Sequence, residues 1–253
     1  MGQALMTIQQ IKKRYGHNQV LNGVDLDIQD GEVIVIIGPS GSGKTTLLRS
    51  LNGLNPADSG QLRIGDVKID MTTVKPKAML AYQRQTGMVF QNYALFANKT
   101  AKENIMMPLR LTQKLAKQEA EQVAEQLLHE VGLAERGDFY PSQLSGGQQQ
   151  RIGIARMLAL KPKVMLFDEP TSALDPELVQ QTLALLQKIA NAGATMILVT
   201  HEMQFAEQVA DRVVFMAGGR VVEQGTPTQI FKHPVNPRTR EFLARFTKKA
   251  VMV

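Results

Sequence analysis

Gly38-Pro39-Ser40-Gly41-Ser42-Gly43-Lys44-Thr45 puts three glycines, a lysine and three hydroxyl residues into one short run. The run follows an apolar stretch, Val33 to Ile37, and leads into Thr46 to Leu54, which reads as a helix. Glycines there let the backbone curl so that successive N–H groups face an anion, and the helix N-terminus adds its positive partial charge. Lys44 is then expected to reach the β- and γ-phosphates of a nucleoside triphosphate, with the Thr45 hydroxyl turned to Mg²⁺. The bare pattern arises by chance in about 1% of chains of this length, so the strand before it and the helix after it carry the reading.

Two further apolar runs end in chemically distinct residues. Val164 to Phe167 ends in Asp168-Glu169, and Met196 to Val199 ends in Thr200-His201. If the three runs are parallel strands of one sheet, their carboxyl ends share an edge, where ligands of open α/β sheets bind. Asp168 is then the expected Mg²⁺ holder, and Glu169 the group that orients or deprotonates an attacking water. His201 is suited to contact a γ-phosphate and sense its loss. Taken singly, paired acids at a strand end are commonly a solvated turn and a lone histidine is commonly structural. The shared placement decides for chemistry.

A second anion cradle stands at Leu144-Ser145-Gly146-Gly147-Gln148, ahead of a helix over Gln149 to Leu160. Small residues permit close approach, and free helix N–H groups point outward. A single chain with two phosphate cradles needs an explanation that its own fold does not supply.

The elements that must position these residues are legible in outline. Met6 to Ile28 alternates loosely, with turn signals at Gly16 to Asn18 and Asn22-Gly23, and predicts antiparallel strands. Gly87 to Phe90 predicts a strand ending at Gln91. Gln118 to Val131 is a helix with apolar Val123, Leu127, Leu128 and Val131. Helices therefore dominate from about Asn92 to Leu160, between the first and second apolar strands. Asp211 to Met216 and Arg220 to Glu223 predict a hairpin around Gly218-Gly219, and the chain beyond Pro227 is mainly helical.

Composition bounds the rest. With 253 residues, 43% apolar and 21% charged, the chain can bury a core and lies far from the disordered regime. The apolar runs are far shorter than the ~18–20 residues of a membrane-crossing helix. Met1 to Met6 carries no apolar signal core and no myristoylation pattern, so neither secretion nor lipidation is expected. Cysteine is absent, which excludes disulfides, thiol nucleophiles and thiolate metal sites. The net charge of +6 is concentrated after Ile230, where Lys232, Arg238, Arg240, Arg245, Lys248 and Lys249 face only Glu241. The remainder is nearly neutral, against a broad nucleic-acid-binding face; the tail reads as a solvated basic helix end.

The ordered set of Gly38 to Thr45, Gln91, Leu144 to Gln148, Asp168-Glu169, Ser172-Ala173-Leu174-Asp175 and His201 resembles the nucleotide-binding subunit of an ABC transporter. The resemblance covers practically the whole chain. It implies an α/β fold with a P-loop, RecA-like core of mainly parallel sheet, N-terminal antiparallel strands and an inserted helical lobe. As one domain over 1–253, the core would comprise 1–91 and 161–253, and the lobe 92–160. It also implies a head-to-tail homodimer in which Ser145, Gly146, Gly147 and Gln148 of one subunit close over ATP held by Gly38 to Thr45 and Thr46 of the other. Tyr15 would stack on adenine, Gln91 would contact Mg²⁺ or the attacking water, and Asp175 would join the dimer contact. The catalytic set would be Lys44, Gln91, Glu169 and His201.

Within that family, Asp168 to Val179, Thr200-His201-Glu202-Met203, Ala210 to Val213 and Pro237 to Leu243 are similar to bacterial importer ATPases, most of all the polar amino-acid uptake group. That group usually reads aromatic-Asn-Leu-Phe-Pro-His after the glutamine, whereas this chain reads Asn92-Tyr93-Ala94-Leu95-Phe96-Ala97-Asn98-Lys99. The resemblance implies a separate integral membrane permease, a substrate-binding protein, and a peripheral location on the cytoplasmic face of the inner membrane. The competing expectation is a soluble single-cassette ABC ATPase in cofactor assembly or regulation, without a permease.

Overall fold

The computed structural model describes residues 3–250, and side chains through 246; residues 1–2 and 251–253 and the side chains of Lys248 and Lys249 lie outside that description. Two sheets form the frame. Strands β1 (Met6–Tyr15), β2 (Asn18–Ile28), β4 (Ser59–Ile64) and β5 (Val67–Asp70) make an antiparallel sheet of order β2-β1-β4-β5. The second sheet has the order β10-β9-β3-β8-β7-β6, built from β3 (Val33–Ile37), β6 (Thr86–Val89), β7 (Val164–Asp168), β8 (Met196–Val199), β9 (Arg212–Ala217) and β10 (Arg220–Gly225). Strands β9, β3, β8, β7 and β6 are mutually parallel, and β10 closes the edge as an antiparallel hairpin partner of β9.

Every residue of β3 and β8 is buried, as a parallel strand covered on both faces requires. Ile34 and Ile36 of β3 join one core with Ile8 and Ile11 of β1, Val24 of β2, and Leu47, Leu48 and Leu51 of α1 (Lys44–Leu51). Val33, Val35 and Ile37 enter the opposite core. There they meet Leu183 and Leu186 of α6 (Pro176–Asn191), Phe205 of α7 (Met203–Val209), and Phe242 of α8 (Pro237–Ala250). Each such side chain contributes about 1.5–3 kcal/mol by leaving water.

A third cluster joins α3 (Ala101–Thr112), α4 (Lys117–Glu130) and α5 (Gly146–Ala159) through Ile105, Leu109, Ala124, Leu128, Ile152 and Ala155. Helix α3 starts at a capping box between Thr100 and Glu103. The predicted boundaries of α1, α4, α5 and β6 shift by one to three residues, with α1 starting at Lys44 rather than Thr46 and ending before Leu54.

One sequence signal has a different meaning in the fold. Asn22-Gly23 is no turn but lies inside β2, where Asn22 pairs with Lys12 and Val24 with Ile11, leaving Gly23 as an extra residue at φ 75°. It is a β-bulge, the other common use of a left-handed glycine. Strands β4 and β5 and helix α2 (Pro76–Gln83) are elements that the apolar periodicity does not announce.

Candidate functional site

Four of the parallel strands deliver the predicted residues to one edge. Ile36 of β3 and Asp168 of β7 both stand opposite Val199 of β8, and Val89 of β6 stands opposite Phe167. The segments after Ile37, Asp168 and Val199 therefore begin at nearly the same height on the sheet.

Beyond Ile37 the chain needs glycine twice for geometric reasons. Gly38 has φ 149°, and a Cβ on it would collide with the carbonyl oxygen of Met216 on β9. Gly43, the residue before α1, has φ 99° and would carry a Cβ 2.8 Å from the carbonyl oxygen of Val20. Between them Pro39, Ser40 and Gly41 are exposed, while Ser42 and Lys44 are buried; Thr45 and Thr46 are half-buried at the start of α1. The Lys44 ammonium donates to the carbonyls of Gly38 at 2.8 Å and Pro39 at 3.0 Å, so it spans its own loop. Burial lowers its pKa, with Glu169 and Asp168 opposing that effect. The buried Ser42 hydroxyl has no hydrogen-bond partner among the described residues. A cationic donor satisfied only by carbonyls and an orphaned hydroxyl in one curled loop fit a phosphate group.

The Thr45 hydroxyl donates to the carboxylate of Asp168 at 2.7 Å. Asp168 is 2% exposed, and burial raises its pKa, opposed chiefly by that Thr45 bond and by Arg49, whose Nε lies 3.8 Å away. A hydroxyl and a carboxylate in contact are hard oxygen donors of the kind Mg²⁺ takes alongside substrate phosphates and water. Arg49 is a site residue that motif reading missed; its signal is the four-residue spacing from Thr45, one helical turn along α1.

Glu169 has φ 48°, unusual for a residue with a side chain, and its N–H donates to the Val199 carbonyl at 3.0 Å. Such a conformation costs of order 1–3 kcal/mol and is held here by the sheet edge. His201 Nε2 lies 3.0 Å from Glu169 Oε1, so the tautomer protonated at Nε2 donates to the carboxylate. Gln91 sits exposed in the turn after β6. Tyr15 closes β1 with its ring half-exposed and the Lys13 ammonium 5.5 Å from its centre, leaving ring surface open to solvent.

The other predicted cradle stands apart. Ser145 caps α5: its hydroxyl accepts from the N–H of Gln148 at 3.3 Å, and Gln148 Oε1 accepts from the N–H of Ser145 at 2.9 Å. Gly146 and Gly147 are demanded by packing as well, since Cβ atoms there would lie 2.5 Å from the Tyr93 hydroxyl and 2.9 Å from Leu178 Cβ. Among the described residues no hydrogen bond joins Ser145 to Gln148 with Gly38 to Thr45, Asp168, Glu169 or His201. Lys44, Thr45, Asp168, Glu169 and His201 thus gather at the sheet edge and an exposed Ser145 stands at the start of α5, while no side-chain hydrogen bond among the described residues joins Gln91 or Tyr15 to either.

Residues 21–172, more than half the chain, match the family model described as ABC transporter. The chain belongs to the ABC transporter family. Relatives extend this over nearly the full length of the ABC cassette. It is 52% identical over 242 residues to the L-cystine import ATP-binding protein TcyC of Bacillus subtilis, covering 95% of this chain and 98% of that one. It is 50% identical over 240 residues to the glutamine transport ATP-binding protein GlnQ of Escherichia coli, covering 94% and 98%. Among solved structures, the dimeric ATP-binding cassette MJ0796, in a post-hydrolysis state bound to ADP and Pi, superposes with a TM-score of 0.77. It is 32% identical, covering 88% of this chain and 98% of that one. The ABC ATPase fold expected from the sequence is therefore present, and no described helix is long and apolar enough to cross a membrane.

Proposed function

We propose that the chain is the ATP-hydrolysing subunit of an importer for a polar amino acid or a similar small solute. It would act as a homodimer on a separate integral membrane permease, supplied by a substrate-binding protein, at the cytoplasmic face of the inner membrane. The convergence of Lys44, Thr45, Asp168, Glu169 and His201 on one sheet edge carries the nucleotide chemistry. Near-full-length similarity to amino-acid import subunits supports the transport assignment.

In this reading Lys44 exchanges its two loop carbonyls for β- and γ-phosphate oxygens, and the Ser42 hydroxyl and loop N–H groups complete the cradle. Thr45 and Asp168, with Gln91, would hold Mg²⁺, which when bound neutralises charge on the phosphates. Glu169 accepts a proton from the attacking water through its carboxylate, and His201 turns from Glu169 toward the γ-phosphate. Ser145 to Gln148 of the second subunit caps that phosphate, which explains two cradles on one chain. Tyr15 offers its open ring face to adenine, and Asp175 lies at the dimer contact.

Residues 92–160 form the proposed lobe inserted between core segments 1–91 and 161–253. A groove of about 410 Å³ beside it, lined by Phe90, Phe96, Met107 and Leu111, is the proposed permease contact. Leu111 is 73% exposed there, which suits burial against a membrane subunit. Binding of two nucleotides would favour the closed dimer, and loss of γ-phosphate would remove the bias.

Purification from native membranes in mild detergent tests the assignment. A stoichiometric integral membrane protein is expected to travel with the chain. Recovery from the soluble fraction alone would favour a cofactor-assembly or regulatory ATPase.

A further inference from the structure

Three segments with separate parts in the proposed cycle meet at one side chain. Tyr93 lies two residues after Gln91, and both Tyr93 and Ala94 are held in left-handed conformations, at φ 58° and 48°. Arg156 of α5 fixes this strained pair from beneath by donating to the carbonyls of Ala94 at 2.8 Å and Tyr93 at 3.5 Å. The Tyr93 ring then stands against the first turn of α5, its hydroxyl 2.5 Å from where a Cβ of Gly146 would be. That hydroxyl donates to the carbonyl of Ala173 at 3.0 Å.

Ala173 belongs to a turn that is rigid by its own bonds. Ser172 donates both its N–H and its hydroxyl to the Glu169 carbonyl, at 3.2 and 3.0 Å, and the Leu174 N–H donates to the Thr171 carbonyl at 3.1 Å. These bonds tie the turn together from Glu169 to Leu174.

We propose that Tyr93 is a positioning residue for ATP turnover: its hydroxyl ties the segment following Gln91 to the turn that carries Glu169, so that displacement of one displaces the other. The proposal rests on the ATPase reading above. The segment after Gln91 adjoins the proposed permease contact through Phe96, so the bond gives that surface a direct hold on the catalytic turn of the same subunit. Phenylalanine would keep the ring against Gly146 and lose only the link.

The test is Tyr93→Phe in the full-length chain. Without nucleotide, hydrogen–deuterium exchange over 172–175 is expected to quicken, while the thermal midpoint falls by no more than the about 2–4 °C that one hydrogen bond is worth. With Mg²⁺-ATP, kcat is expected to fall about five-fold, the equivalent of one hydrogen bond, with KM for ATP unchanged. Unchanged exchange over 172–175 overturns the link, and a wild-type kcat with quickened exchange overturns its role in turnover. Failure of the wild-type chain itself to hydrolyse ATP would instead contradict the ATPase assignment, and the exchange measurement would still decide whether the link exists.

Discussion

The Thr45 hydroxyl and the Asp168 carboxylate meet at 2.7 Å across 123 residues of sequence, joining the start of α1 to the end of β7. The bond brings together the two oxygen groups that nucleotide-bound Mg²⁺ would claim. Asp168→Asn keeps an oxygen for Thr45 and removes a charge that burial disfavours. The nucleotide-free thermal midpoint should therefore hold or rise by about 2–4 °C, for ~1 kcal/mol. The further rise that Mg²⁺ gives in the presence of ATP should vanish. A fall in the nucleotide-free midpoint would show that the carboxylate is a net stabiliser.

Lys44 is a buried ammonium held by two carbonyls of its own loop. Lys44→Met should leave the fold intact and weaken ATP binding about 10- to 100-fold, for ~1.5–3 kcal/mol of charge-assisted hydrogen bonding. Equilibrium binding of a fluorescent ATP analogue reads this directly, and wild-type affinity would remove Lys44 from the phosphate site.

Ser145 tests the dimer. As the cap of α5 it should lose ~1 kcal/mol on replacement by alanine, or about 2–4 °C in thermal midpoint. In the proposed dimer its cradle serves the other subunit's nucleotide, so ATP affinity of the single subunit should be unchanged while turnover falls at least about ten-fold. Equal losses in affinity and turnover would place both cradles on one nucleotide.

Glu223 gives the fold a dependence on pH. Burial works to raise its pKa, but hydrogen bonds, among them those from the N–H groups of Val235 at 2.8 Å and Asn236 at 3.1 Å, hold it below its ordinary value of 4.5. A depressed carboxylate stabilises the fold above 4.5, and this contribution is lost as pH falls through the lower folded value. Glu223→Gln should therefore melt about 2–4 °C below wild type at neutral pH, with the gap closing under acid. A gap that persists in acid would mean that packing, not charge, is responsible.

Much of this site is legible in the sequence because its parts are local. Strands β3, β7 and β8 are largely apolar runs, and each runs into or directly up to residues of the proposed site. Gly38 to Thr45 is a contiguous loop and helix start, and Ser145 with Gln148 is a local cap. The rest depends on partners far apart in the chain. Glu169 and His201 are 32 residues apart and Tyr93 and Ala173 are 80 apart, so neither pairing has a local pattern. Strands β4 and β5 begin in Ser59-Gly60-Gln61 and Val67-Lys68, too polar to stand out; β4 is a strand because β1 supplies its ladder, and β5 because β4 does. Asn22-Gly23 carries the composition of a tight turn, and only pairing with β1 shows it to be a bulge.

Glu169→Gln tests the central claim most directly. The carboxamide keeps the shape of the side chain and removes the proposed proton acceptor. With Mg²⁺-ATP the variant should elute from size-exclusion chromatography as a dimer retaining two ATP, with steady-state turnover reduced about 10²- to 10⁴-fold. A variant that hydrolyses ATP at nearly the wild-type rate, without accumulating as a dimer, would contradict the account.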